Sequence, residues 1–314
     1  MIYILLSIYN GSKYLGDFLN SLSSQSISDW TLVVRDDGSS DGSIEMIKKF
    51  ALENTIRIEF MECDINLGAS SSFARLIEHT IQKEDCSYLM FADQDDVWLG
   101  DKIANTYGKM IVMESMYGVD SPLLVHTDLQ VTDACLGVID KSFWNYQYLS
   151  PKYKSLNRLI MQNNITGCTT MINKRLAKIS VPIPSDAIMH DWWIGLVASA
   201  FGHIGYIEDR NILYRQHASN DTGAKHFSYF EIAKKAFTLF QKKDIYTAHL
   251  DKNIAQAKAF YERFYDELES KDRQMLEFFF TIKDNTFLNK RLGITKYMLL
   301  KQGLSRNIGL MLRI

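Results

Sequence analysis

Seven alternating segments open this chain, and their order constrains its fold more than any other feature. The apolar run YILLSIY reads as a strand, SKYLGDFLNSLSSQ as an amphipathic helix, and WTLVVRDDGSSDGS as a strand running into a turn. IEMIKKFALEN is helical again, IRIEFMEC a strand, SSFARLIEHTIQ a helix, and SYLMFADQDD a strand that ends in acids. This βαβαβαβ succession predicts an α/β fold with a mostly parallel, doubly wound sheet flanked by helices. Ligands of such sheets bind beyond the carboxyl ends of the strands. Here the strands end at Tyr9–Asn10, at Asp36–Asp37 and at Asp93–Asp96, so polar groups gather on one edge.

Past the first hundred residues the pattern is mixed from about Ser121 to Tyr214. Beyond Gly223 it is helical throughout, in YFEIAKKAFTLFQ, HLDKNIAQAKAFYERFYDEL and DRQMLEFFFTIK. With 314 residues available, this predicts a catalytic domain over 1–224 and a helical C-terminal region over 225–314. Charge changes at the same place. Residues 1–224 carry 18 Lys+Arg against 27 Asp+Glu, residues 225–314 carry 17 against 10, and the net is -2. From Leu288 onward there are six basic residues and no acidic one. Such a region suits an anionic membrane surface, a phosphate-rich partner or the acidic face of another subunit, and a solvated helix end explains the same residues. The apolar stripe Ile254, Ala257, Phe260, Tyr261 and Phe264 points to a homo-oligomer through these helices.

The aromatic content of 12% and the small net charge exclude a disordered chain. No run approaches 18 apolar residues, and the opening MIYILLSIYN lacks a basic flank and a cleavage site. A cytoplasmic protein is expected, with peripheral contact at the inner face of the membrane as the alternative, and no nucleic-acid partner. Cys63, Cys86, Cys135 and Cys168 are far apart with no C-x-x-C pair, as expected of reduced core thiols.

Four constellations carry chemistry. Asp36-Asp37-Gly38-Ser39-Ser40-Asp41 closes a strand with carboxylates able to accept from a nucleobase N–H or ribose hydroxyls; the plain alternative is an acidic turn with an N-cap. Asp93-Gln94-Asp95-Asp96 places three mutually repelling carboxylates after a buried strand, a conflict that Mn²⁺ or Mg²⁺ would remove. His190-Asp191-Trp192-Trp193 opens an apolar helical run. There the dipole would keep Asp191 ionised, as a general base requires, and the two indoles could stack on sugar rings; an N-capping Asp with core tryptophans explains the same residues. Tyr214-Arg215-Gln216-His217, with Asn220 nearby, offers a guanidinium for phosphate and an imidazole for a metal or pyrophosphate, or simply one satisfied His beside one Arg.

In order and spacing, LLSIYNGSKYL, VVRDDGSSDGS, NLGASSSFARLIEHT, FADQDDVW, GCTTMINKRL, HDWWIGLVASAFG and YRQHASN resemble the family-two glycosyltransferases, inverting enzymes of the GT-A fold that use nucleotide-sugar donors. DQDDVW, HDWW and YRQH are most similar to bacterial rhamnosyltransferase-like members of surface polysaccharide and glycoconjugate assembly. The resemblance implies a nucleotide-binding half over about 1–100 and an acceptor half over about 101–224. It places Ser7, Tyr9, Asp36, Asp37, Asn66, Asp93 and Arg215 on a UDP- or dTDP-linked donor. Asp95 and His217 would hold Mn²⁺ or Mg²⁺, Asp191 would be the catalytic base, and His190, Trp192 and Trp193 would meet a glycan, glycolipid or glycoprotein acceptor. The family often has Glu before the base, where this chain has His190. Two other classes predict different residues. A nucleotidyltransferase would want a basic phosphate loop that SIYNGSKYLG lacks, and a non-catalytic scaffold would have lost Asp93, Asp95 and Asp191.

Overall fold

The computed structural model describes residues 1–54, 56–61, 65–217 and 243–314, the side chains of 243–247 excepted. Cys63, Asn220, the segment YFEIAKKAFTLFQ and the expected boundary near residue 224 lie outside the described residues. The chain divides into two compact units. Met1–Phe143, Ile165–Ile183 and Met189–Ala224 form the first; Trp144–Asn164, Pro184–Ile188 and Lys225–Ile314 form the second.

In the first unit, β1 (Ile2–Ile8), β2 (Trp30–Asp36), β3 (Arg57–Met61) and β4 (Tyr88–Ala92) alternate with α1 (Ser12–Ser23), α2 (Ser43–Glu53) and α3 (Ala69–Thr80). β1 is buried almost throughout, as expected of a parallel strand covered on both faces. After β4 come β5 (Val97–Trp98), α4 (Lys102–Tyr117), β6 (Leu123–Thr127), β7 (Gln130–Thr132) and β8 (Val138–Asp140). β9 (Met171–Asn173), β10 (His203–Ile207) and β11 (Ile212–Arg215) complete the strands. The main sheet has the order β10-β6-β9-β4-β1-β2-β3, parallel except for β9, which is antiparallel to both neighbours. The chain builds outward from β1 to β3 and then returns to place β4 on the other side of β1. The β1/β4 gap is therefore the topological switch point, beyond whose strand ends sheets of this kind bind ligands. A smaller sheet, β5-β11-β7-β8, pairs β5 antiparallel to β11 and so draws the residues after Tyr214 alongside Asp95 and Asp96.

The remaining helices are α5 (Phe143–Gln147), α6 (Leu156–Leu159), α7 (Lys174–Ser180), α8 (His190–Phe201), α9 (Lys243–Phe264), α10 (Ser270–Phe280), α11 (Phe287–Lys296) and α12 (Leu304–Arg313). Inside the second unit, polar side chains fasten the shorter segments to the C-terminal helices. Asn253 donates to the Ile160 carbonyl at 3.1 Å, Gln256 accepts from Ile188 N–H at 2.9 Å, and Arg306 donates to the Gln147 carbonyl at 2.7 Å. Ala257, Phe260 and Phe264 are buried with Met275, Leu276 and Phe279 of α10. Most of the stripe that pointed to an oligomer is therefore the core of this unit, because α10 folds back onto α9.

Candidate active site

The switch point is closed by an amide. Gln94, the middle residue of the D-x-D, accepts from Tyr9 N–H and donates to Tyr9 C=O, both at 3.0 Å, tying the end of β1 to the turn after β4. A Cβ on Gly11 would lie 2.2 Å from Gln94 Oε1, so only glycine admits this clip. Gly11→Ala is expected to expel the partly exposed Gln94 amide at a cost of about 1 kcal/mol, since the displaced atoms are the far end of a flexible side chain. Gln94→Ala should have a similar effect, and the double variant should be no worse than the more severe single one. Thermal melts of the three proteins check this coupling.

On the β2 side, the expected donor residues are held by the protein itself. Asp37 is buried, ion-paired with Arg35, and accepts from Leu67 and Gly68 N–H at 2.8 Å. Burial opposes its charge, but Arg35 and the two amides outweigh it and hold the carboxyl below its usual range. Asp36 turns back to Ser39, accepting from its hydroxyl at 2.6 Å. Asn66 donates to the Asp37 carbonyl at 2.8 Å, and Ser7 shares a 2.6 Å hydrogen bond with Ser72, which receives one from Arg35. Tyr9 stands exposed at the lip.

The acidic turn after β4 meets the end of β11. His217 Nε2 lies 2.7 Å from Asp95 Oδ2, and its ring stacks on Tyr14 with centroids 4.7 Å apart. Arg215 is buried, and its guanidinium is engaged by the protein: Nε donates to the Asp95 carbonyl at 2.9 Å, Nη1 to the Ala134 carbonyl and Nη2 to Asp17, each at 2.7 Å. Asp93, Asp96 and Cys168 also converge, with ligand atoms within 4.8 Å of one another. Burial, then the charges of Asp93 and Asp95, push the Asp96 carboxyl well up, and burial with Asp96 and Asp93 does the same to the Cys168 thiol. Asp96 and Cys168 thus resist ionisation, and a thiol is a soft partner for a hard cation. The carboxylate–imidazole pair of Asp95 and His217 has the donor types that fit Mn²⁺ or Mg²⁺.

Cys168 belongs to a short 3₁₀ turn, Gly167–Thr169, that connects the two sides of the site. On its other side Gly167 N–H donates to Asp191 Oδ2 at 2.9 Å, while Trp192 N–H reaches Oδ1 at 2.5 Å. Lys102 pins the turn from below, its Nζ donating to the Thr169 carbonyl at 2.8 Å. Asp191 sits in the first turn of α8, and the residue remains partly accessible. Its protonation differs from the sequence expectation: burial pushes the carboxyl up to about 7, overcoming the helix N-terminus and both amide hydrogen bonds. Its neighbours also differ from the acceptor platform expected. Trp193 is fully buried with its indole N–H donating to the Ser180 carbonyl at 2.9 Å. His190 is buried against Phe73 and Phe91, and burial drives its imidazole down to about 3, so it is neutral. Trp192 is the one of the three with partial access to solvent.

Arg35, Ser72, Gln94, Tyr14, Asp17, Cys168 and Lys102 were not foreseen. Only Gln94 carried a signal, its place inside the D-x-D; the others are brought in from distant segments.

The mostly parallel sheet with its switch point, the acidic strand end and a carboxylate across one turn match a GT-A-like fold. Residues 3–119 match glycosyl transferase family 2, and the protein is a glycosyltransferase. It is 26% identical over 229 residues to dTDP-rhamnosyl transferase RfbG of Shigella flexneri, covering 70% of this chain and 74% of that protein. It is 21% identical over 177 residues to UDP-Glc:alpha-D-GlcNAc-diphosphoundecaprenol beta-1,3-glucosyltransferase WfgD of Escherichia coli, covering 56% of this chain and 60% of that one. Among solved structures, S. aureus TarS 1-349 in complex with UDP superposes with a TM-score of 0.54 at 15% identity, over 95% of this chain and 91% of that chain. The chain spans 55% of the longer TarS structure. These structures share the fold.

Proposed function

We propose that this glycosyltransferase moves a sugar, with inversion, from a UDP- or dTDP-linked donor to a hydroxyl of a glycan, glycolipid or glycoprotein acceptor in surface polysaccharide or glycoconjugate assembly. The observation that carries the reading is the turn Gly167–Thr169, with Asp191 hydrogen-bonded on one side and the Asp93–Asp96 acids on the other. The name of the Shigella relative favours a deoxyhexose on dTDP. In this reading 1–100 hold the nucleotide and 101–224 the acceptor.

Asp191 accepts the proton of the acceptor hydroxyl, whose oxygen attacks the anomeric carbon from the face opposite the diphosphate. The bond to the diphosphate breaks, the leaving oxygen keeps the electron pair, and the centre inverts. Asp95 and His217 would hold Mn²⁺ or Mg²⁺, which supplies charge neutralisation for the departing diphosphate. Arg215 positions Asp95 through its carbonyl, and Lys102 positions the turn on which Asp191 rests. Transfer needs one carboxylate base, where a glycosidase uses a pair.

A thermal-shift screen against UDP, dTDP and GDP, with and without Mn²⁺, tests the donor half. One diphosphate should raise the melting temperature, and more so with the ion. No shift with any of the three overturns the reading. Slow release of nucleoside diphosphate from the matching donor without acceptor distinguishes a competent enzyme from a scaffold.

A further inference from the structure

Leu304, Ile308 and Leu312 stand four residues apart along α12, on one face, and are 77%, 52% and 76% exposed. Leu310, on another side of the same helix, is fully buried. The helix is therefore apolar toward its own unit and apolar outward as well. α11 repeats the arrangement with exposed Phe287, Leu288 and Leu292. Arg291 joins the two helices, with one guanidinium nitrogen donating to the Met311 carbonyl and its plane over the Phe287 ring at 3.3 Å. Each of the two helices thus presents exposed apolar side chains of a kind that a protein surface rarely leaves without a partner.

The charges identify that partner. Every charged residue from Leu288 to Ile314 is basic: Lys290, Arg291, Lys296, Lys301, Arg306 and Arg313. They crowd one another; after burial, the positive charges of Arg306 and Arg313 hold Lys301 below its ordinary range. A second copy docking face to face would set the α11 bases Lys290 and Lys296 against their own counterparts, with no acid from Leu288 onward to offset them. An anionic lipid surface instead offers phosphates to the basic groups and a headgroup boundary to the leucines. Among the described residues no helix is long and apolar enough to cross a membrane, so the contact is with the surface.

We propose that α11 and α12 lie on an anionic bilayer, with Leu304, Ile308, Leu312 and the α11 side chains at headgroup depth and Lys290 and Lys296 paired with lipid phosphates. Flotation of the full chain with phosphatidylcholine vesicles, with and without phosphatidylglycerol, tests this independently of any donor. The protein should float with the anionic vesicles, stay behind with phosphatidylcholine alone, and be released by salt. Leu304→Ser/Ile308→Ser/Leu312→Ser and, separately, Lys290→Glu/Lys296→Glu should each lower vesicle partitioning at least tenfold, with mass by light scattering and melting temperature unchanged. Failure to float with either vesicle, equal binding by the variants, or a wild-type dimer that the triple serine variant dissociates would overturn the proposal.

Discussion

Asp191→Asn lowers the turnover number by a factor of about 10²–10⁴, the usual cost of losing a general base, and leaves donor affinity nearly unchanged. The geometry makes the variant easy to interpret. Asp191 accepts from Gly167 N–H with one oxygen and from Trp192 N–H with the other. An asparagine keeps one of these bonds and sets an NH₂ against the other donor, a stability cost of about 1–3 kcal/mol that a melt measures separately from the rate. The pH profile gives a second check. With its carboxyl pushed up to about 7, wild-type Asp191 holds a proton below that value and cannot take another. The rate should climb with pH and level off above about 7, and the asparagine variant should lack this limb. Stability runs the other way: a raised carboxyl favours the native state while it is protonated, and this contribution is lost as pH rises through about 7. A variant with near wild-type turnover would remove Asp191 as the base.

Asp95→Ala weakens Mn²⁺-dependent nucleoside diphosphate binding roughly a hundredfold, the scale of losing a direct ligand, while the fold survives. The substitution spares the clamp beneath it, because Arg215 is held by the Asp95 carbonyl rather than the carboxylate. His217→Ala removes the other half of the pair and should resemble it, and the double variant should lose little more than either single one. Isothermal titration in the presence and absence of Mn²⁺ decides, and an unchanged ion dependence would remove both residues from the metal.

The first four strands were legible because alternation is a local property: each segment shows its own period, and burial on both faces makes YILLSIY continuously apolar. The second sheet was not, since β5, β7, β8 and β11 are two to four residues long, too short for any period to register. The same division holds at the site. Asp93, Asp95 and Asp191 stand out because acids at the end of an apolar strand, or at the start of an apolar helix, are conspicuous in one dimension. Whether an acid faces the crevice or another side chain depends on residues far away in the chain. Asp37 turns to Arg35 and the amides after Asn66, and Arg215 turns to Asp17 nearly two hundred residues earlier. Protonation was harder still. The dipole that predicted an ionised Asp191 is local, and the burial that reverses it is collective.

One strand of the main sheet runs against all the others. Because β9 is inverted, its amino end, rather than its carboxyl end, lies beside the carboxyl end of β4. The turn that carries Gly167 and Cys168 enters that strand and is thereby delivered to the acidic edge. The position of that turn at the acidic edge is thus set by sheet register. Upstream, the chain rejoins the first unit at Ile165, two residues before the turn. Changes between Trp144 and Asn164 fall in the second unit and leave the register of β9 as it is.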